Sequence, residues 1–385
     1  MSGAGFYGEL SSAVSLAGDR AVVRVSATYE PAGGVGSKVF PPTYPLGRDG
    51  AGPYVLEERW VDGERRKDVL LDSVPSQANR AEEALLRARR AGRVELPLLE
   101  LRHSGEAPVV LTSLEFPHRY ADAYLRDSLL GGVAFDRTEI GRSMLAASLA
   151  DATGLFAHDP GSLVFGAWNS HRKGRQQKFP RVYSSEVVGW DPVEGARRAG
   201  RLDPLNLVGA AKRGMDGGDW EYAAVGEKVK GERLSEIGHG HVAPNAQHGG
   251  VTISSATRMA TLSLAGLDRI GFGGVSAEAA VAARAALAAY ALLADRLAFG
   301  GPGLWLRSGC ELVLVEERLE WVGRGGRAEP FELTVDLAVD VFGLAVARAA
   351  KEGVPISMET VALTPSASLA KAIDFSLTKA EPAGE

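Results

Sequence analysis

Apolar and polar positions alternate over residues 21–29. Val23, Val25, Ala27 and Tyr29 fall on one face and Arg24, Ser26 and Thr28 on the other, the period of a half-buried strand. Residues 31–54 break the pattern: 11 of these 24 positions are Pro or Gly, which fits neither a helix nor a central strand and predicts a long loop. Loops of that length in compact domains are functional or flexible. A short apolar run at 69–71 leads into a predicted helix over 76–93. Ala81, Leu85 and Ala88 share one side of it, Arg80, Arg87, Arg89 and Arg90 lie elsewhere, and Gly92 is placed to stop it. Two further strand-like runs, 94–101 and 109–114, complete the order strand, loop, helix, strand, strand. That order suits a split βαβ, ferredoxin-like sheet.

Residues 151–250 are rich in Gly, Pro and charge and poor in long periodic segments, so they read as insertions. Order returns with a helix over Ala277–Phe299 capped by Ser276, strand-like runs at 311–316 and 331–335, and a helix over 339–351. The chain therefore predicts an α+β fold in one elaborated domain. Its core runs from about residues 15–150 and 251–375, with insertions at about 30–68 and 151–250.

With 385 residues, 45% apolar and 24% charged, the chain can bury a substantial core and belongs to the ordinary folded class. The formal net charge of −5 speaks against a uniformly basic surface but not against a local basic groove, because phosphate responds to local potential. The single cysteine, Cys310, excludes an internal disulfide framework and thiolate-rich metal centres, so no cofactor or metal is expected. It favours a reducing, cytoplasmic setting, and the opening residues MSGAGFYGEL lack the pattern of a signal peptide. Ala277–Phe299 is apolar but interrupted by Glu278, Arg284, Asp295 and Arg296, so it reads as a buried alanine-rich helix and no membrane partner is expected.

Three segments carry candidate chemistry. WNSHRKGRQQKFPR, residues 168–181, places Arg172, Lys173, Arg175, Lys178 and Arg181 among Trp168, His171 and Phe179 with no acidic residue. Cations beside stacking surfaces are what single-strand nucleic-acid binders use, although a solvated basic loop has the same composition. DSVPSQANRAEEAL, residues 72–85, crowds Ser76, Gln77, Asn79 and Arg80 into the first turn of a helix, where phosphate is attracted. An ordinary helix cap at Ser73 or Ser76 accounts for much of the same pattern. SEIGHGHVAPNAQH, residues 235–248, brings His239, His241 and His248 together; polar contacts to RNA or a neighbouring subunit suit them better than a metal, since Glu236 is the only carboxylate among them. Lys38, in the 31–54 loop, is a further candidate RNA contact. Gly3, Gly5 and Gly8 satisfy a dinucleotide spacing with no strand before them and are discarded.

FPPTY at 40–44, LLDSVPSQANRAEEAL at 70–85, FPHRYADAYLRDS at 116–128, FGAWNSHR at 165–172 and SEIGHG at 235–240 together resemble one family. It is the CRISPR-associated RAMP-type backbone subunit of type I-U, or I-G, interference complexes. The resemblance implies a ferredoxin-like, modified RNA-recognition-motif palm with finger and thumb insertions. It implies a non-catalytic subunit that holds CRISPR RNA, stacks head to tail with copies of itself, joins other subunits of the interference complex and meets target DNA through the guide. It also sets Ser76, Gln77, Asn79, Arg80 and the stretch 171–175 near the RNA backbone. A related endoribonuclease using His171 or His239 as general base is the alternative.

Overall fold

The computed structural model describes residues 2–15, 18–45, 52–170, 177–205, 207, 210–212, 221–223, 232–233, 235 and 238–378. The strands that organise it are β1 (Arg20–Pro31), β2 (Leu56–Val61), β3 (Glu64–Asp72), β4 (Leu98–His103), β5 (Val109–Thr112), β6 (Ala167–Asn169), β7 (Gln177–Phe179), β8 (Tyr183–Trp190), β9 (Val193–Arg201), β10 (Val242–Thr252), β11 (Ser255–Ser263), β12 (Gly303–Arg307), β13 (Cys310–Gly323), β14 (Ala328–Phe331) and β15 (Thr360–Pro365). The principal helices are α1 (Gly3–Ala13), α2 (Val74–Arg90), α3 (Ala277–Phe299) and α4 (Val335–Lys351).

The main sheet runs β12-β13-β1-β11-β8-β3-β2, with β14 also pairing β13, and its adjacent strands are antiparallel. Within it, β1, α2, β8, β11, α3 and β13 follow one another along the chain, and their strands lie side by side as β13-β1-β11-β8. That is the split βαβ order of a ferredoxin-like palm, so the expected α+β fold class holds. The strands that build it differ from those expected. Residues 94–114 supply β4 and β5, which belong to a second sheet ordered β5-β4-β15, extended by short strands at Ser128–Leu130 and Val133–Ala134. The palm strand that follows α2 is β8, inside the stretch read as insertion. Its sequence YSSEVVGW hides its character because Ser185 is buried there by hydrogen bonding, not by apolarity.

β1 forms as its alternation requires: Val23, Val25, Ala27 and Tyr29 are buried against the helices, and the intervening side chains face outward. α2 starts two residues earlier than expected, because the Ser73 hydroxyl accepts the Ser76 amide and Pro75 sits in the first turn, where its missing N–H costs nothing. Arg87, Arg89 and Arg90 close it at the negative end of the helix dipole. α3 has the bounds read from the sequence, with the Ser276 hydroxyl accepting from Ala279 N. It is long and apolar enough to cross a membrane, but 72% of that window is buried within the protein, and its alanines let α2 and α4 pack closely on it.

Asp295 and Arg296 are the charges that broke its apolar pattern. Burial alone would raise the Asp295 carboxyl, yet Arg258 and Arg296 outweigh it and hold the group below the ordinary carboxylate range. Arg258 from β11 bonds Asp295 directly, Tyr183 OH donates to it at 2.6 Å, and Arg296 also bonds Glu317 of β13 at 2.6 and 2.8 Å. The network ties the long helix to three neighbouring parts of the sheet.

Candidate nucleic-acid interface

The Ser-Gln-Ala-Asn-Arg motif opens α2 directly after β3, and the last residue of β3, Asp72, is fully buried. Asp72 accepts from Ser76 Oγ at 2.7 Å, Gln77 Nε2 at 2.5 Å, Arg80 Nε at 2.8 Å and Arg307 at 3.3 Å. Gln77, 0% exposed, also accepts from Ser185 Oγ at 2.8 Å. The Arg80 guanidinium donates onward to the Leu306 carbonyl at 2.6 Å. Three of the four expected RNA contacts of this motif are therefore spent on a buried carboxylate, and Gln77 has no surface to offer a ligand. Of the four, Asn79 alone is exposed.

Asn79 lines a groove of about 920 Å³ between the start of α2, residues 117–126 and the β6–β7 ribbon. Its apolar lining comes from Pro75, Ala78, Phe165 and Phe179. Its rim carries His118, Arg126, Trp168, Lys178 and Arg181, and none of the residues lining it is acidic. Trp168 and Lys178 are direct partners across the ribbon, the Lys178 ammonium 6.0 Å from the centre of an indole that is 56% exposed. Exposed aromatic surface beside mobile cations, within a lining free of carboxylates, suits a single nucleic-acid strand held by stacking and phosphate contact.

Arg119 fixes the wall. Its guanidinium makes a two-pronged pair with buried Glu82 of α2 at 2.7 and 2.8 Å and donates to the Gly166 carbonyl at 3.0 Å. These bonds hold Arg119 at φ 53, a left-handed conformation that costs a non-glycine residue about 1 kcal/mol or more. Gly166, at φ 83, lies where a Cβ would meet Arg181 N at 3.0 Å and Phe179 O at 3.1 Å, so the close approach of β7 requires glycine. Burial pushes the Glu82 carboxyl up to about 7 against the pull of Arg119. Asp159 behind it is also raised by burial, with Ser162 opposing.

Of the residues read from the sequence, Asn79, Trp168, Lys178 and Arg181 meet in this groove. His171, Arg172, Lys173 and Arg175 belong to the segment joining β6 to β7 and lie outside the described residues. Lys38 is elsewhere, exposed, with Nζ 3.4 Å from the Ala196 carbonyl on β9. His239 and His241 lie beside the β9–β10 arm. Arg201 donates to the carbonyls of Ser235, His239 and Gly240, and His241 Nδ1 accepts from Asp203 N at 3.0 Å. His248 stands on β10 opposite Ala196, its ring 6.1 Å from that of Tyr54. No cluster of metal-ligating side chains occurs among the described residues. Cys310 is buried and its thiol pushed up to about 11, so it is no thiolate at neutral pH.

The sequence reading passed over His118, Arg119 and Arg126 as site residues. They stand in FPHRYADAYLRDS, where Asp122 and Asp127 cancel the charge in any linear count. In space Asp127 binds Arg126 at 2.7 Å while the arginine remains more than half exposed at the groove.

Residues 23–193 match the model of CRISPR-associated protein GSU0053 (Cas_GSU0053). The matched segment runs from β1 to the start of β9 and contains the residues that line the groove. No curated protein matches the sequence. Among solved structures the chain is similar to a chain of a "CRISPR RNA-guided surveillance complex, pre-nicking", at 11% identity and a TM-score of 0.36, over 92% of this chain and 99% of that one. At that level of likeness the fold is carried by the strand order and register described above.

Proposed function

Because residues 23–193 match the model of CRISPR-associated protein GSU0053, we propose that the chain is a non-catalytic, cytoplasmic subunit of a type I-G interference complex that holds CRISPR RNA in the groove beside α2. The observation that carries this reading is the convergence of Asn79, Trp168, Lys178 and Arg181 on an acid-free groove within the matched segment. A guide must be gripped by its backbone whatever its sequence, leaving bases free to pair with target DNA. Lys178, Arg181 and Arg126 offer phosphate contacts and Trp168 offers a stacking face. Copies stack head to tail along the guide beside other subunits of the complex.

Binding of single-stranded RNAs of unrelated sequence, followed by fluorescence anisotropy across a salt series, tests it. The expected result is similar affinity for each RNA, with the salt slope lowered by about 0.7 for each of Lys178→Ala and Arg181→Ala. An unchanged slope in the double variant removes the groove from the RNA path. End-labelled RNA should remain intact throughout; cleavage abolished by His239→Ala would replace this reading with the endoribonuclease.

A further inference from the structure

Arg119 lines the groove, yet its guanidinium is spent on the protein interior: Nε and Nη2 donate to Glu82 at 2.7 and 2.8 Å and Nη1 to the Gly166 carbonyl at 3.0 Å. Its side chain is 11% exposed and that of Glu82 4%. Behind this pair lies a second buried carboxylate. Asp159 heads the short helix Pro160–Val164 and accepts from Ser162 Oγ at 2.6 Å and Ser162 N at 3.2 Å. A Cβ placed on Gly161 would lie 3.3 Å from Asp159 Oδ1, 3.4 Å from Tyr290 OH and 3.7 Å from Glu82 Oε1. Three titratable oxygens from three elements therefore surround one glycine. Among the described residues Arg119 is the cation that acts on all three, and no other cation acts on any of them. Asp122, in the same turn as Arg119, is committed to the amides of His118 and Tyr124.

Two carboxylates and one guanidinium in a closed interior leave one negative charge uncompensated, and burial penalises that charge heavily. A proton held by the pair of carboxylates removes the excess. We infer that the groove takes up a proton as it takes up RNA: Arg119 passes from Glu82 to a phosphate of the bound strand, and a proton from solvent replaces it on the Glu82–Asp159 pair. The exchange balances. Before it the guanidinium neutralises Glu82; after it the proton does, and the guanidinium neutralises the phosphate. Arginine suits the transfer because its planar fork fits a phosphate as it fits a carboxylate. Resting on the proposed RNA-holding role, the exchange makes guide retention sensitive to pH above neutrality. Below about pH 7 Glu82 already holds its proton and Arg119 is released. Above it each bound strand must draw the proton from solvent, so affinity falls as the pH rises, by up to about tenfold per pH unit.

Binding of a single-stranded RNA by the full chain, followed by fluorescence anisotropy from about pH 6 to pH 9, tests this. Glu82→Gln keeps an acceptor for Arg119 but cannot titrate. The ratio of wild-type to Glu82→Gln affinity should be level on the acid side and fall by up to about tenfold per pH unit above neutrality. His118 on the rim is common to both proteins and cancels. Asp159→Asn keeps an acceptor for Ser162 and removes the second charge, so the fall should begin at lower pH. Calorimetry of RNA binding at about pH 8, in two buffers of different ionisation enthalpy, needs no variant. Wild type should take up close to one proton per bound strand, and Glu82→Gln should lose that uptake. In RNA-free wild type at about pH 6, infrared spectroscopy should show the band of a neutral carboxylic acid that Glu82→Gln lacks. A constant affinity ratio, equal heats in the two buffers, or wild type without the infrared band overturns the exchange. RNA bound without proton uptake defeats the exchange alone; a chain that binds no RNA at any pH defeats the proposed function and the exchange with it.

Discussion

The exposed and buried halves of the Ser-Gln-Ala-Asn-Arg motif make opposite predictions. Asp72 is a fully buried carboxylate whose bonds come from Ser76, Gln77, Arg80 and Arg307. Gln77→Ala strips one of them, leaves Ser185 without its acceptor and opens a small void. It should cost about 2–4 kcal/mol in chemical denaturation. RNA affinity measured well below the unfolding transition should stay near wild type. Asn79→Ala should do the reverse, leaving the denaturation midpoint unchanged while weakening RNA binding. If Gln77→Ala lost RNA affinity with full stability, its burial would not describe its role. The sequence shows four polar side chains at a helix start and therefore a candidate anion site. It cannot show that the strand before the helix ends in a carboxylate pointing back into that turn, because Asp72 reads equally well as a surface residue. The same limit hid Arg119, whose partner Glu82 lies 37 positions away.

At the scale of elements, patterns of one period were legible and mixed ones were not. β1 and α3 were read nearly to the residue because their apolar positions keep one period and their ends carry caps or breakers. β13 runs 14 residues where six were expected. Glu317, on its inward face, is paired with Arg296 of α3 and interrupts the apolar alternation. The β6–β7 ribbon was legible as chemistry before it was legible as structure: three paired positions on each side bring Trp168 onto Lys178. Removing that ring without disturbing the ribbon should therefore lower affinity through stacking. Trp168→Ala should weaken single-stranded RNA binding by about 1–3 kcal/mol, and Trp168→Phe should recover most of it. The salt slope should not move in either variant, since no phosphate contact is lost. A flattened slope in Trp168→Ala would mean that the ring acts by holding Lys178 and not by meeting a base.

Across the whole molecule the palm is closed by two buried carboxylates that respond to pH in opposite senses. Asp295, held low by Arg258 and Arg296, contributes stability that is present above the unfolded carboxylate range and is lost in acid. Glu82 is raised by burial to about 7, so the folded state holds its proton more tightly than the unfolded chain does. Its contribution is fully present below the unfolded carboxylate pKa and disappears as the pH rises through about 7, by about 3 kcal/mol in total. Other groups titrate across the same window. His158, half-buried and lowered by that burial, works in the opposite direction. The difference between two proteins therefore isolates Glu82. Denaturant midpoints of wild type and Glu82→Gln, taken from pH 5 to pH 8, should diverge steadily, wild type losing stability relative to the variant as the pH rises. At the acid end the two midpoints should lie close together, because a protonated Glu82 and a glutamine both offer Arg119 a neutral acceptor. Parallel curves would mean that Arg119 keeps Glu82 ionised throughout, with the pair formed already at pH 5. The groove wall would then be a permanent ion pair, and RNA affinity should show no dependence on pH through this residue.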